Sequence, residues 1–199
     1  MRCTAHKHLD WLDCRWPTYV LLFTRSTHNL PLLPAFVSSC YVLLHSSNGK
    51  LLLQRRHQNK SVFGGRVDLT VAEHLAPSES YIDAAVRGLK EELGIDMEPD
   101  SLYEAILPRK RLLKTESASG KPVYDFEFVP LFRGTYDGEA VPDMDEVTEV
   151  MWMQPHEIAS ALRTDASSWP TPWLENILFE LKVISNIIPN EQSVSPIQE

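Results

Sequence analysis

Glu79-Ser-Tyr-Ile-Asp-Ala-Ala-Val-Arg-Gly-Leu-Lys-Glu-Glu-Leu-Gly-Ile95 is the stretch whose reading decides the fold. Ile82, Ala85, Val86, Leu89 and Leu93 recur at helical spacing, Ser80 stands as an N-cap with Asp83 three residues on, and Gly94 follows as a stop. The spacing predicts a helix over Tyr81 to Leu93. With the apolar stripe buried, Arg87, Glu91 and Glu92 share the other side, and Arg87 lies four residues before Glu91. Hard oxygen donors grouped in this way suit Mg²⁺ or Mn²⁺ better than zinc.

Working outward, Phe36 to His45 is apolar and β-branched enough for a strand, and Asn48-Gly49 before Leu51-Leu-Leu53 is a hairpin signal. Val67 to Val71 reads as one short buried strand entering the helix. Beyond the helix, Leu102 to Leu107 and Val123 to Phe132 read as strands separated by the polar Lys114 to Gly120 loop, and Val147 to Met153 as another strand. Pro155 and Pro172 each open a helix, the first through about Arg163 and the second through about Ser185, at positions where proline is tolerated. Strands interleaved with single helices imply an α/β fold with a mixed sheet covered on both faces.

The segment around the first helix resembles the Nudix box of the Nudix hydrolases. That pattern is Gly, five residues, Glu, seven residues, then Arg-Glu-apolar-any-Glu-Glu-any-Gly-apolar. Anchored on Gly94 and Ile95, it places Glu79, Arg87, Leu89, Glu91 and Glu92 at defined positions. The flanks Leu51-Leu-Leu-Gln-Arg-Arg56, Lys60, Asp68-Leu-Thr-Val71 and His74 are similar to the branch that contains isopentenyl diphosphate isomerase. The resemblance implies an α/β/α sandwich with a mixed β-sheet and hydrolysis of a diphosphate linkage in a nucleoside diphosphate derivative or similar small molecule. It also implies a metal site in which Glu91 and Glu92 are ligands while Glu79 and Arg87 orient the shell.

Two positions depart from the pattern: Glu73 stands where the box opens with glycine, and Gly88 where the arginine is followed by glutamate. In the family that glutamate is usually a principal ligand, so either the ligand set is rearranged or the chain is a catalytically impaired Nudix-like binding or regulatory module. Glu73, on the approach to the helix, and Glu146, before the Val147 strand, are the acids expected to complete the metal set. A glycine inside a helix costs about 1 kcal/mol relative to alanine, so helix formation does not explain Gly88.

For the substrate, Lys60, Arg56 and Arg55 precede the box, and strand alternation allows at most one of the two arginines to face a pocket. His74 matches a histidine of the isomerase branch. Phe63 and Tyr124 are candidates for stacking on a base, against a general preference of such aromatics for the core. The isomerase carries a catalytic cysteine just before its counterpart of His74, whereas Thr70-Val-Ala-Glu73 stands here, which argues against isomerisation.

Composition agrees with one globular domain: 199 residues, 43% hydrophobic and 23% charged. A net charge of −8 argues against a general nucleic-acid binder. Cys3, Cys14 and Cys40 form an odd set without metal-ligand spacing, which fits a reducing compartment, and the cytosol is the expected location. The longest apolar run, Tyr19 to Phe23, falls far short of the ~20 residues of a membrane span, and Asp10 and Asp13 disfavour a transit peptide. Residues 1–34 read as an N-terminal extension containing Trp11, Trp16, Pro17, Pro31 and Pro34, 35–186 as the Nudix-like domain, and 187–199 as a polar tail. Expected partners are a small-molecule diphosphate and, as an open alternative to the monomer, a second copy of the chain in a homodimer.

Overall fold

A computed structural model describes residues 37–164 and 169–183. The expected N-terminal extension and polar tail lie outside the described residues.

The first strand organises the sheet because both its faces are buried. β1 (Val37–His45) runs antiparallel to β2 (Leu51–Arg56) and to β4 (Val71–His74), and parallel to β6 (Pro122–Thr135). β3 (Val67–Asp68) and β7 (Val147–Met153) pair with β2, and β5 (Tyr103–Glu116) closes the far edge on β6. The sheet is therefore mixed.

Alternation along β1 divides the core. Tyr41 and Leu43 join Leu51 and Leu53 of β2 under α2 (Pro155–Thr164) and α3 (Pro172–Glu180), where Ile158, Leu162, Trp173, Leu174, Ile177 and Leu178 are buried. Cys40, Val42 and Leu44 join Leu52 on the other face, against Ala84, Ala85, Leu89 and Leu93 of α1 (Tyr81–Leu93). Helices on both faces of one sheet make the expected α/β/α sandwich. No helix among the described residues is long and apolar enough to cross a membrane.

The single strand expected at Val67–Val71 is two. β1 and β2 meet at His45 and Leu51 and then diverge, and residues 67–74 enter between them, first as β3 on β2 and then as β4 on β1. Thr70 marks the crossing. Its hydroxyl accepts from Leu44 N–H at 2.8 Å and donates to Leu52 O at 2.6 Å, so a side chain satisfies one backbone group on each diverging strand.

The other differences concern length. Lys114, Thr115 and Glu116, expected in a loop, continue β5 opposite Tyr124, Val123 and Pro122, and the reversal is confined to 117–121, where Ser117 N–H donates to Lys121 O at 2.8 Å. α3 ends before the expected Ser185, because Lys182 takes a φ of 57° and Val183 N–H turns back to Leu178 O.

Thr70→Val keeps the shape of the side chain while orphaning two buried backbone groups, so it should lower the unfolding free energy by about 3 kcal/mol. Urea denaturation would show this as a lower midpoint at an unchanged slope.

Candidate active site

The box helix is fixed at both ends. Ser80 Oγ accepts from Asp83 N–H at 3.2 Å, and at the other end Gly94, with φ 62°, and Ile95 direct their N–H groups back to Lys90 O and Leu89 O. Between these caps Arg87 gathers three segments. Its Nε and Nη2 fork onto Glu79 at 2.7 and 2.9 Å, Nη2 also donates to the His74 carbonyl at 2.9 Å, and Nη1 reaches Glu91 at 3.0 Å and Glu73 at 3.4 Å. Glu79 completes the turn by accepting from Ala76 N–H at 2.7 Å. The hydrogen bond from Arg87 holds the Glu79 carboxyl below its usual range, and Glu79 in turn keeps the guanidinium charged. Glu79 thus spends its oxygens on Arg87 and the entry loop.

Glu92 has a different environment. Half-buried, it accepts from Gln54 Nε2 of β2 at 2.9 Å. Burial pushes its pKa up to about 7; the Gln54 hydrogen bond opposes the rise, while the nearby charges of Glu73 and Asp68 add to it. Glu91, one residue earlier, keeps 60% of its side chain exposed. Lys60 has its pKa lowered by burial and by Arg56, against the attraction of Glu92, Glu73 and Asp143. It forms an ion pair with Glu146. The loop carrying Asp143 and Glu146 is docked on the C-terminal end of α1, with Val141 N–H on Leu93 O and Asp143 N–H on Glu92 O, each at 2.8 Å.

The donor chemistry fits a hard divalent cation. Glu73 and Glu91 offer carboxylate oxygens beside the Arg87 guanidinium, Glu92 lies near enough to Glu73 and Lys60 for their charges to act on it, and the Lys60–Glu146 pair stands at the margin, although only His74, Asp125 and Glu127 bring three ligand-type atoms within 4.8 Å of one another among the described residues.

The other expected residues are not all brought here. Arg55 pairs with Glu149 at 2.9 Å and donates to Gly65 O, while Arg56 pairs with buried Asp68 at 3.0 Å and lies 5.8 Å from the Trp173 ring. Phe63 meets Trp173 edge-on at 5.1 Å and packs against the core under α2 and α3. Tyr124, 56% exposed on the β5–β6 hairpin, stacks on Phe126 with Lys114 over its ring. His74 sends only its backbone carbonyl to Arg87. Its side chain turns to the opposite face of the sheet, because β4 places Glu73 and His74 on alternate sides.

There His74 meets a cluster that the sequence reading missed. Glu127 accepts from Ser39 Oγ at 2.8 Å, Tyr41 OH at 3.3 Å and Arg111 Nε at 2.9 Å, His74 Nε2 stands 3.4 Å away, and Arg111 also binds Asp125 at 3.0 Å. His74, Asp125 and Glu127 bring ligand-type atoms within 4.8 Å of one another; the Arg111 guanidinium pairs with both acids, and the hydrogen bond to Glu127 raises the His74 pKa. Arg111 is itself flanked by the rings of Trp173 at 4.7 Å and Tyr41 at 5.1 Å. Burial alone would raise the Glu127 pKa; His74, Arg111 and Ser39 overturn that and hold it down at about 2. The alternation Asp125-Phe-Glu127 was the available signal, since period 2 puts both acids on one side of a strand.

The NUDIX domain family model matches residues 35–177. The chain belongs to the Nudix family. It is 34% identical over 137 residues to the isopentenyl-diphosphate Delta-isomerase of Nocardia farcinica, covering 69% of this chain and 74% of that protein. Among solved structures it resembles the MutT protein of Methanosarcina mazei, at a TM-score of 0.52 and 22% identity over 79% of this chain and 100% of that one. The E. coli dihydroneopterin triphosphate pyrophosphohydrolase superposes with a TM-score of 0.52 at 17% identity, covering 76% and 99%. These structural likenesses establish the Nudix fold, and the box helix of that fold is α1.

Because the folded-state pKa of Glu127 is depressed, its ionised form contributes stability above the unfolded value, and that contribution is lost as pH falls through the folded one. Glu127→Gln should therefore cost about 3 kcal/mol near pH 7, with the gap from wild type closing between about pH 5 and pH 2. Denaturant titrations at several pH values would measure it.

Proposed function

We propose that this Nudix protein is a Mg²⁺- or Mn²⁺-dependent pyrophosphohydrolase of the cytosol, acting on the diphosphate linkage of a nucleoside diphosphate derivative or a similar small molecule. The observation that carries the reading is the carboxylate group held by Arg87 on the open side of α1, with Lys60 beside it. Glu91 and Glu92 would hold the cation, with Glu73 and Glu146 the further acids of the set. A bound divalent cation supplies charge screening for the phosphates and acidifies a coordinated water.

The remaining work falls to the chain. Arg87 fixes Glu91 and Glu79 so that the helix face keeps its geometry without substrate. Lys60 is the cation best placed to meet a phosphate: its partner Glu146 is a half-exposed loop acid, so exchanging that partner for a diphosphate leaves no buried charge unpaired. Arg55 and Arg56 are committed to Glu149 and Asp68, and His74, Phe63 and Tyr124 lie in other surroundings, so none of them is assigned to substrate in this reading.

A second reading, a Nudix-like binding or regulatory module with impaired hydrolysis, is favoured by Gly88, which removes an acid from the helix. Isomerisation, suggested by the name of the Nocardia relative, is opposed by the cysteine chemistry. Ala72 and Glu73 precede His74, and Cys40 is fully buried with its thiol pushed up to about 12, first by burial and then by Glu73.

Phosphate release should be measured with Mg²⁺ and Mn²⁺ over a panel of nucleoside diphosphate derivatives, with isopentenyl diphosphate included and checked for isomerisation. Metal-dependent turnover is expected, and Glu92→Gln should slow it about 10³-fold, the loss of several kcal/mol of metal-assisted stabilisation. Nucleotide binding without turnover would select the binding module instead.

A further inference from the structure

Gly88 lies within α1 and is buried, and its backbone does not take a positive φ, so no conformational demand calls for glycine there. Space does. A Cβ built on Gly88 would stand 2.7 Å from Val71 Cγ1, 3.2 Å from Glu73 Cβ and 3.4 Å from Glu73 Cγ. The Val71 methyl, which lies closest, and the stem of Glu73 together fill the volume over position 88.

Register explains how it comes to be there. In the β1–β4 ladder Glu73 is opposite Cys40, a residue of the α1-side core, so Glu73 points at the helix while Ala72 and His74 point away. Past Gly88 its carboxylate emerges among the box residues. Oε2 is 3.4 Å from Arg87 Nη1, Oε1 accepts from His74 N–H at 2.8 Å, and 21% of the side chain is open to solvent. The stem is anchored, and the head lies beside Arg87, close enough to Glu92 and Lys60 for its charge to act on both.

The two departures from the box pattern are thus one contact. Where the pattern has glycine on the approach and glutamate on the helix, this chain has the reverse, with the two positions packed against each other. We propose that Glu73 and Gly88 are a reciprocal exchange, in which the Glu73 carboxylate, delivered from β4, serves as a ligand of the divalent cation in place of a side chain from position 88 of α1. The inference rests on the reading of this site as a Mg²⁺ or Mn²⁺ centre. It answers the binding-module alternative, because the acid missing from the helix has been moved rather than lost.

The test is Mn²⁺ binding, followed by loss of the free-ion electron paramagnetic resonance signal in full-length protein, with thermal melts of the metal-free protein run alongside. Glu73→Gln keeps the stem over Gly88 and removes the charge. It should weaken Mn²⁺ binding at least tenfold while leaving the metal-free melt near that of wild type. The double variant Glu73→Gly with Gly88→Glu should recover most of that affinity once Val71 turns its methyl aside, whereas Gly88→Glu alone, with Glu73 in place, should lower the melting temperature through crowding. Recovery from position 88 separates a ligand from a mere partner of Arg87, since a structural pairing would not be rebuilt from the helix.

If Glu73→Gln binds Mn²⁺ as wild type does while Glu92→Gln does not, the exchange is overturned and the metal centre stands. Should the double variant melt too low to assay, Glu73→Gln and Glu73→Asp decide the matter: graded loss upholds the ligand, and unchanged affinity in both overturns it. Wild-type protein that leaves the Mn²⁺ signal untouched overturns the exchange and the metal reading together.

Discussion

The candidate site depends on the guanidinium of Arg87. A helix packed on a sheet through Ala84, Ala85, Leu89 and Leu93 is free to settle by small translations, because apolar contacts are non-directional. The fork from Arg87 to Glu79, with further bonds to the His74 carbonyl and Glu91, is directional and joins the helix, the end of β4 and the entry loop. Charged groups that would otherwise repel one another are held around one cation, and their positions are set before any ligand arrives.

Double-sided burial of β1 separates the polar centre at Arg87 from the one at Arg111, and the two do not share side chains. On the α1 face lie Glu73, Arg87 and Glu92; on the face of α2 and α3 lie Glu127, Asp125, Arg111 and the His74 ring. Glu73 and His74 are neighbours in sequence and members of different centres. The first group has its acids in excess, with Lys60 and Arg87 as local cations, which suits an incoming positive charge. In the second, Arg111 lies between two aromatic rings and pairs with both acids, which suits holding β5, β6 and α3 together.

Much of this was legible in the sequence, and the reasons for the rest are physical. α1 was readable to its ends because its periodicity, its serine cap and its glycine stop are local signals, and β7 because its bounds are set by polar and proline neighbours. The division of 67–74 was not, since it follows from the divergence of β1 and β2, a tertiary event that Thr70 accommodates. The β5–β6 hairpin outran its apolar core because cross-strand pairing carries charged residues such as Lys114 and Glu116 into the ladder. His74 is a candidate through its match to a histidine of the isomerase branch, although counting by two from Val71 puts its ring on the face away from α1. Arg111 and Glu127 find each other only once the hairpin is closed, so the Asp125-Phe-Glu127 alternation marks the acids but not their cation.

The contact between Glu73 and Gly88 also constrains how this sequence can drift. A chain with glutamate at both positions must crowd two stems into one space, and a chain with glycine at both leaves a gap between β4 and α1 and one acid fewer beside Arg87. Each single step away from the present pair meets a penalty of a different kind. The two positions therefore constrain each other, position 88 through crowding against Val71 and Glu73, and position 73 through the loss of an acid beside Arg87.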